Sequence, residues 1–379
     1  MRRGGRFKWS SRFGALALCA ILPCAASGTE EAGQLVWRAL GPLDLGPYHL
    51  PADVTVLAID PASSQTLYVG ATVFVPGRVA GVTFKSGDAG RTWATLGNGL
   101  NVPPGEFLPP PPVVDFAFDP TASSTVYAAL QQSGVFKSTD AGMSWTGTNR
   151  GLSAGWVGRI AVDPFSPTIL YAATSGDGVF KSEDSGASWR PARGGLAFPF
   201  VLSLLADAGR SSTLFAGTLG NGVYQTTDAG SSWLPANAGL TEPDVLALAQ
   251  APGSPGRIYA GTGNGRVFRS EDGGATWTGG SLGVAADVLS LAVAPGDAAN
   301  VYAGTRGAGV FVSADGGATW TAINGGLSDG NATTLAIAPS SPPRVYVGTR
   351  AGIFVLEDAR AVPLPRERAP GTPRPFDFR

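Results

Sequence analysis

Histidine, cysteine and lysine are almost missing from this 379-residue chain, which carries one histidine, two cysteines and four lysines (Lys8, Lys85, Lys137 and Lys181). Both cysteines, Cys19 and Cys24, lie within the first 28 residues, so the remainder is expected to hold no disulfide and no thiolate nucleophile. With His49 as the sole imidazole, a zinc centre is not expected, and neither is any other metal or cofactor. Charged residues make up 15% of the chain and no basic run occurs beyond the N-terminus, which leaves no footprint for nucleic acid. A 3.6-residue apolar period is absent throughout, so the chain is not built on amphipathic helices. Long apolar runs are also lacking. Phe13 to Leu22 is too short to span a bilayer and ends at Pro23. Arg2, Arg3, Arg6, Lys8 and Arg12 precede it and Ala25-Ala26-Ser27-Gly28 follows, so residues 1–28 read as an export signal, and the expected location is extracellular or periplasmic. Its removal leaves 22 basic side chains against 28 acidic.

What the chain has in abundance is glycine (54), proline (30) and a repeated string. Ser182-Glu183-Asp184-Ser185-Gly186-Ala187-Ser188-Trp189 fits [S/T]-x-D-x-G-x-x-W, and five further copies occur around the pairs Asp88/Trp93, Asp140/Trp145, Asp228/Trp233, Asp272/Trp277 and Asp315/Trp320. From Asp88 the aspartates step by 52, 44, 44, 44 and 43 residues, a spacing that implies stacked or radial repeats. Alternating stretches such as Gly178-Val179-Phe180-Lys181 lead into each copy, as a strand does. An aspartate followed two residues later by glycine suits a turn, because the carboxylate binds nearby N–H groups and glycine accepts positive φ. The six aspartates and six tryptophans are therefore expected to pin structural turns, one per repeat.

Each repeat also holds an apolar run closing in Asp-Pro or Ala-Pro (Ile160-Ala161-Val162-Asp163-Pro164) and a second run with a central aromatic (Leu170-Tyr171-Ala172-Ala173). That aromatic occurs seven times, from Tyr68 to Tyr346. A third strand leads into the turn and the tryptophan opens a fourth. Four short strands repeated seven times predict an all-β fold, a single seven-bladed β-propeller of four-stranded antiparallel blades over residues 29–358. The last repeat has three strands and no box. Val36-Trp37-Arg38-Ala39-Leu40-Gly41 matches the missing fourth strand, so the strand around Trp37 is expected to complete the last blade and hide the edges of the ring. The Pro- and Arg-rich tail, 359–379, is expected to be disordered.

The repeated string resembles the Asp-box, or BNR, repeat of sialidases, sortilin-type receptor domains, xyloglucan-active glycoside hydrolases and photosystem II assembly factors. The resemblance covers nearly the whole of 29–358 and implies the propeller, with each Asp-box on its periphery away from any active site. It implies little about activity. The Phe-Arg-Ile-Pro motif that a sialidase would carry is missing. The xyloglucan-active enzymes use two propellers with a cleft between them, whereas this chain has one.

Two G-x-S-x-G strings, at Ser153 and Ser328, fall in the same inter-blade loop with strands after them, and the only histidine precedes both, so neither is a nucleophile elbow. Gly220-Asn221-Gly222 and Gly263-Asn264-Gly265 read as hairpin turns, not phosphate loops. Departures from the repeat mark the candidate binding positions. Between Tyr68 and Asp88 an extra loop, Val73 to Val79, contains Arg78, and the link from Asn98 to Pro112 carries about eight extra residues including Glu106, Phe107 and four consecutive prolines. The residue before each Leu57-type position reads Val56, Asp115, Arg159, Ser203, Ala247, Ser290, Thr334, which sets Asp115 beside Arg159 as an ion pair or a polar spot at one depth. Trp156, Phe198, Phe200, Arg193, Arg306 and Arg350 belong to the same face. The expected function is a monomeric, non-catalytic scaffold binding a protein or glycan at this face. The competing expectation is a glycoside hydrolase using Glu106 with Asp115 or Asp177, whose carboxyls would need a separation of about 5–10 Å.

Overall fold

The computed structural model describes residues 35–40, 53–75, 78–100, 110–153 and 156–358. The expected export signal (1–28), His49, Glu106, Phe107 and the tail expected to be disordered (359–379) lie outside these residues. Among the described residues, twenty-eight strands, β1 to β28 in chain order, form seven four-stranded antiparallel sheets. Blade 1 is β2 (Asp53–Ile59), β3 (Leu67–Val75), β4 (Arg78–Ser86) and β5 (Ala94–Leu96). The next five blades repeat this order, with innermost strands β6 (Val113–Phe118), β10 (Val157–Val162), β14 (Val201–Ala206), β18 (Val245–Gln250) and β22 (Val288–Val293). Blade 7 consists of β26 (Thr334–Ala338), β27 (Arg344–Thr349), β28 (Gly352–Asp358) and the N-terminal β1 (Leu35–Ala39). The seven innermost strands touch one another in sequence, and β2 touches β26, so the ring is closed. Among the described residues no helix is long and apolar enough to cross a membrane.

Second strands such as Leu170–Thr174 are buried along their whole length, because a blade covers each face; this explains their continuous apolar runs. Third strands lead into the boxes. In the fifth, Asp272 Oδ1 accepts hydrogen bonds from Ser270 Oγ (2.8 Å) and Thr276 N (2.9 Å), and Oδ2 accepts one from Thr276 Oγ1 (2.6 Å). The residue between aspartate and glycine also has positive φ, so each turn uses two left-handed residues in a row: Ala141 at 57° and Gly142 at 90°, for example. The carbonyl thus turned outward is captured by the preceding blade. Tyr68 Oη and Lys85 Nζ donate to Ala141 O (3.0 and 2.9 Å), and Tyr127 Oη and Lys137 Nζ donate to Ser185 O (3.3 and 3.2 Å). Tyr68 and Tyr127, with two of the rare lysines, are therefore inter-blade locks, whereas among the described residues the hydroxyls of Tyr171 and Tyr346 have no partner.

The box tryptophans depart from expectation by one residue. Trp93, Trp145, Trp189, Trp233, Trp277 and Trp320 do not open the fourth strands, which begin just after them at Ala94, Thr146, Arg190, Leu234, Thr278 and Thr321. The physical reason is a competing acceptor. The backbone N–H groups of Trp145, Trp189, Trp233 and Trp277 donate to Asn98, Arg150, Gly194 and Ala238 O (2.9, 2.8, 2.7 and 2.8 Å), in the links from the preceding blades, and not to the third strands. The indole N–H groups divide in the same way. Those of Trp189, Trp233 and Trp277 donate across to Thr148, Ala192 and Ala236 O (2.7, 2.9 and 2.8 Å). Those of Trp145 and Trp320 stay within their own boxes, on Gly142 and Gly317 O (3.0 and 3.1 Å), and among the described residues that of Trp93 has no partner. Trp93 and Trp320 are half-buried, whereas the other four are buried. The tryptophans thus join blade to blade as much as they pin their own turns.

The Gly-Leu found in five of the links (Gly99, Gly151, Gly195, Gly239 and Gly326) fits against the same residues or, for Gly326, against Trp37. Gly151 packs against Trp189 of the following blade so closely that a Cβ would lie 2.2 Å from its carbonyl oxygen. This pairing also closes the ring. Trp37 N donates to Gly325 O (2.8 Å), Gly326 lies against the Trp37 carbonyl, and the indole N–H of Trp37 donates to Ile323 O. Trp37 is 2% exposed, and its strand pairs β28 in the register Trp37↔Leu356. The expected closure of the last blade is what the structure has.

One expectation about the loops is corrected. Most of Val73 to Val79 is strand: β3 runs on to Val75 and β4 starts at Arg78, paired Val75↔Arg78, so the added residues give this hairpin nine-residue strands, longer than the second and third strands of the other blades. Alternating β-branched residues, Val73, Val75 and Val79 among them, favour that extension over an open loop.

Candidate functional site at the channel and its mouth

Antiparallel order places the boxes and the Asp-Pro turns at one face of the ring. The turns between second and third strands and the links between blades lie at the other, around the channel mouth. The box aspartates are consequently remote from the mouth. Their hydroxyl and backbone donors hold Asp88, Asp140, Asp184, Asp228 and Asp272 down at about 2, and Asp315 lower still. A carboxylate so fully engaged is a poor acid or base. Among the described residues no group of three histidine, cysteine, aspartate or glutamate side chains is placed to hold a metal.

The channel wall is made by the innermost strands, and each of the first six carries a bulge. Pairing shifts between Val54 and Val56, Val113 and Asp115, Val157 and Arg159, Val201 and Ser203, Val245 and Ala247, and Val288 and Ser290. Each shift skips the residue just before the irregular sequence position, Val114 in blade 2 and Gly158 in blade 3 for example, so that position is the first paired residue after the bulge. In blade 7, whose innermost strand pairs without a shift, it is Thr334, opposite Gly348. Asp115 Oδ2 accepts a hydrogen bond from Ile160 N of blade 3 (2.8 Å), and Thr334 Oγ1 accepts the equivalent bond from Leu57 N of blade 1 (3.3 Å). Asp115 thus acts as an inter-blade staple in the place where blade 7 uses a hydroxyl. Protein atoms packed round the channel strip it of water and push its carboxyl up to about 6, against the opposing pull of the Arg159 charge and the Ile160 amide. The direct Asp115–Arg159 ion pair considered from the sequence does not form. Arg159 Nη1 instead donates to Gly158 O (2.8 Å) and Val114 O (3.5 Å), because the bulge turns the Asp115 carboxylate toward the backbone of the next blade.

At the mouth, the other expected residues separate into pairs. Arg193 Nη1 donates to Asp177 O (2.8 Å) and reaches Asp177 Oδ1 (3.4 Å) beside blade 3. Arg306 Nε donates to Asp287 Oδ2 (3.0 Å) in blade 6, and the Arg350 amide donates to Asp329 Oδ2 (3.0 Å) in blade 7. Arg78 begins β4, and Glu106 and Phe107 lie outside the described residues. Asp177 and Asp115 consequently have separate partners, one at the rim and one in the wall. What the fold does bring together is apolar. Ser175 N donates to Trp156 O (3.1 Å), Ser175 bridges Phe200, and Leu219 N donates to Phe200 O (3.1 Å), so Trp156, Phe200 and Leu219 follow one another along the rim of blades 3 and 4. They are 45%, 40% and 43% exposed, and Phe198 packs against Phe200 with the rings tilted by 43° and centroids 5.6 Å apart. Leu219 was not among the expected residues; its position at the same turn as Asp177, one blade on, was the available signal.

No protein-family model matches the chain, and no curated protein matches it. Solved structures do. The chain is similar to the GH74 xyloglucanase from Xanthomonas campestris with a TM-score of 0.64 at 19% identity, covering 88% of this chain and 55% of that one, so it spans little more than half the enzyme's length. It is similar to YCF48 bound to D1 peptide with a TM-score of 0.60 at 15% identity, covering 85% of this chain and 96% of that one. YCF48 from Cyanidioschyzon merolae gives 0.60 at 14%, covering 86% and 100%. At these identities the likeness is one of fold: the chain is a seven-bladed β-propeller.

Proposed function

We propose that this protein is an exported Asp-box propeller that works as a non-catalytic scaffold, holding a segment of a partner protein on its channel-mouth face. The observation that carries this reading is the contiguous exposed rim of Trp156, Phe200 and Leu219 at blades 3 and 4. Large apolar side chains grouped on a rigid ring mark contact surface, because burying them in a partner removes them from water at little ordering cost. The pairs Arg193–Asp177 and Arg306–Asp287 surround the mouth with charge that sets orientation more than affinity. YCF48 bound to D1 peptide, matched over nearly its full length, supports a peptide-holding role for a propeller of this size.

The similarity to a xyloglucanase favours the glycosidase as the reading to test against. The two described candidate carboxylates argue the other way, since Asp115 is taken up by Ile160 N and Asp177 by Arg193. The full chain should be screened on a peptide array, a glycan array and a reducing-sugar assay with β-glucans. Saturable peptide binding, weakened at least 10-fold in a Trp156→Ser/Phe200→Ser variant of unchanged melting temperature, is the expected result. Sugar release abolished by Glu106→Gln or Asp177→Asn would replace the scaffold with an enzyme.

A further inference from the structure

Each box turns one carbonyl outward, and four of these are captured by the blade before. Lys85 and Tyr68 hold Ala141 O, and Lys137 and Tyr127 hold Ser185 O. Gln225 holds Gly273 O (3.3 Å), and Arg269 and Tyr259 hold Gly316 O (2.7 and 3.3 Å). Among the described residues Ala89 O and Ala229 O accept no hydrogen bond. The two buried tyrosine hydroxyls without a partner, those of Tyr346 and Tyr171, belong to the blades just before them. In blade 7 the residue paired with the tyrosine is Val355, so that lock has no cation to close it.

The seam between blades 3 and 4 is different, because its lock is complete and open. Lys181 pairs with Tyr171 across the strands as Lys85 does with Tyr68, and its side chain is 7% exposed. Its Nζ goes to Glu183 Oε1 (2.9 Å) and stands 5.9 Å from the tyrosine ring centroid, against 5.0 and 5.4 Å in blades 1 and 2. The residue after the box serine is Gly87 in blade 1 and Thr139 in blade 2, neither of which draws a cation away, whereas in blade 3 it is Glu183. Blade 5 has Glu271 at this position and is nevertheless locked. Arg269 spans both acceptors, with Nε on Glu271 (3.1 Å) and Nη1 on Gly316 O. A guanidinium spreads its donors over three nitrogens; an ammonium has one, and here the carboxylate takes it.

We propose that the blade 3–4 seam is a latch with two positions, open while Lys181 pairs with Glu183 and shut when its Nζ donates to Ala229 O beside Tyr171, and that the latch sets the stiffness of the apolar rim. Two strands connect latch and rim. β11 (Leu170–Thr174) carries Tyr171, and β12 (Gly178–Ser182) carries Lys181. At their mouth ends Ser175 bridges Phe200 and Gly178 N donates to Pro199 O (2.9 Å), in the link to blade 4. While the latch is open a buried hydroxyl stays unpaired, and the Trp233 indole still ties blade 4 to Ala192 O at the outer wall. Blades 3 and 4 then shift against each other beneath Trp156, Phe200 and Leu219, which fits the rim to what it holds. That use rests on the scaffold reading; the latch itself operates with no partner present.

Hydrogen exchange of the full chain without ligand, resolved to single amides, tests the latch on two variants that copy arrangements already present in the ring. Glu183→Thr copies blade 2, and Lys181→Arg copies blade 5. Each should slow exchange of the Gly178 amide, which crosses the seam, by about 5-fold, the worth of one regained hydrogen bond. The Gly222 amide, which makes the same bond to Pro243 O one seam on, should be unchanged. Adding Lys181→Met to Glu183→Thr should remove the gain. The proposal falls if neither variant slows Gly178, if Gly222 slows as much, or if the gain survives Lys181→Met. It also falls if a crystal structure of the Glu183→Thr chain shows Nζ still away from Ala229 O. Each of these results leaves the scaffold reading standing, since no partner is involved.

Discussion

Asp184 accepts hydrogen bonds from Ser182 Oγ, Ser188 N and Ser188 Oγ, so its carboxylate does for the turn what a backbone ladder does for a strand. Asp184→Ala should lower the melting temperature by about 2–4 °C and leave binding at the mouth unchanged. Thermal scanning together with the peptide-binding assay checks both; affinity lost at constant stability would make the box a binding site. Protonation has opposite signs at the two kinds of aspartate. Box carboxylates sit at about 2, below the ordinary 3.8, so the stability they lend is present above pH 4 and is lost as pH falls through 2. Asp115, raised to about 6, is easier to bury protonated, so stability at this site rises as pH falls from 6 to 4. Melting temperature should therefore increase between pH 7 and pH 4.5 and collapse below pH 3, and Asp115→Asn should flatten the first limb only. A profile without that limb would contradict the burial assigned to Asp115.

At the level of elements, the links between blades are held by close backbone approach. Gly326 has φ 86°, and a Cβ there would come within 2.1 Å of the Trp37 carbonyl oxygen, whereas Gly220, with φ 91°, faces open space. Gly220→Ala meets only the cost of positive φ, about 1–2 kcal/mol. Gly326→Ala adds a collision with main chain and should cost on the order of 3 kcal/mol or more. Urea unfolding of the two variants measures the difference; equal losses would mean that the link does not grip Trp37. The lengthened hairpin of β3 and β4 is bound to its neighbour in a similar way, since Gly81 N donates to Pro110 O (2.7 Å). The lengthened hairpin and the end of the long link into blade 2 thus touch each other.

For the whole molecule, closure depends on β1. Removing residues 1–41 would take away buried Trp37 and bare the outer edge of β28, which pairs with β1 from Phe354 to Asp358. Aggregation and a lowered melting temperature are expected, because an unpaired edge is a template for further strands. Trp37→Ala alone should cost about 3–5 kcal/mol. Size-exclusion chromatography and denaturant titration check the two, and a monodisperse truncated chain with unaltered stability would contradict the closure argument. A closed ring is also consistent with the proposed binding at the mouth, since among the described residues the fourth strands of blades 1 to 6 are only two to four residues long and offer little free edge.

Blade count, strand order, box turns and the role of Trp37 were all legible in the sequence, because each is a local pattern repeated at a period of 43 or 44 residues and repetition averages out local ambiguity. The position just after the bulge was legible as an irregular column, but its meaning was not. Whether Asp115 meets Arg159 or Ile160 N depends on how adjacent innermost strands lie, and that is set by packing between blades. The same holds for Trp145, Trp233 and Trp277, whose backbone N–H groups turn to the preceding link and so delay the fourth strand by a residue. The hairpin at Val73 to Val79, the capture of Ala141 O by Tyr68 and Lys85, and the grouping of Trp156, Phe200 and Leu219 likewise join residues from different repeats or opposite strands. Pattern along the chain determines which segments become strands and turns; only closing the ring decides which side chains share a wall.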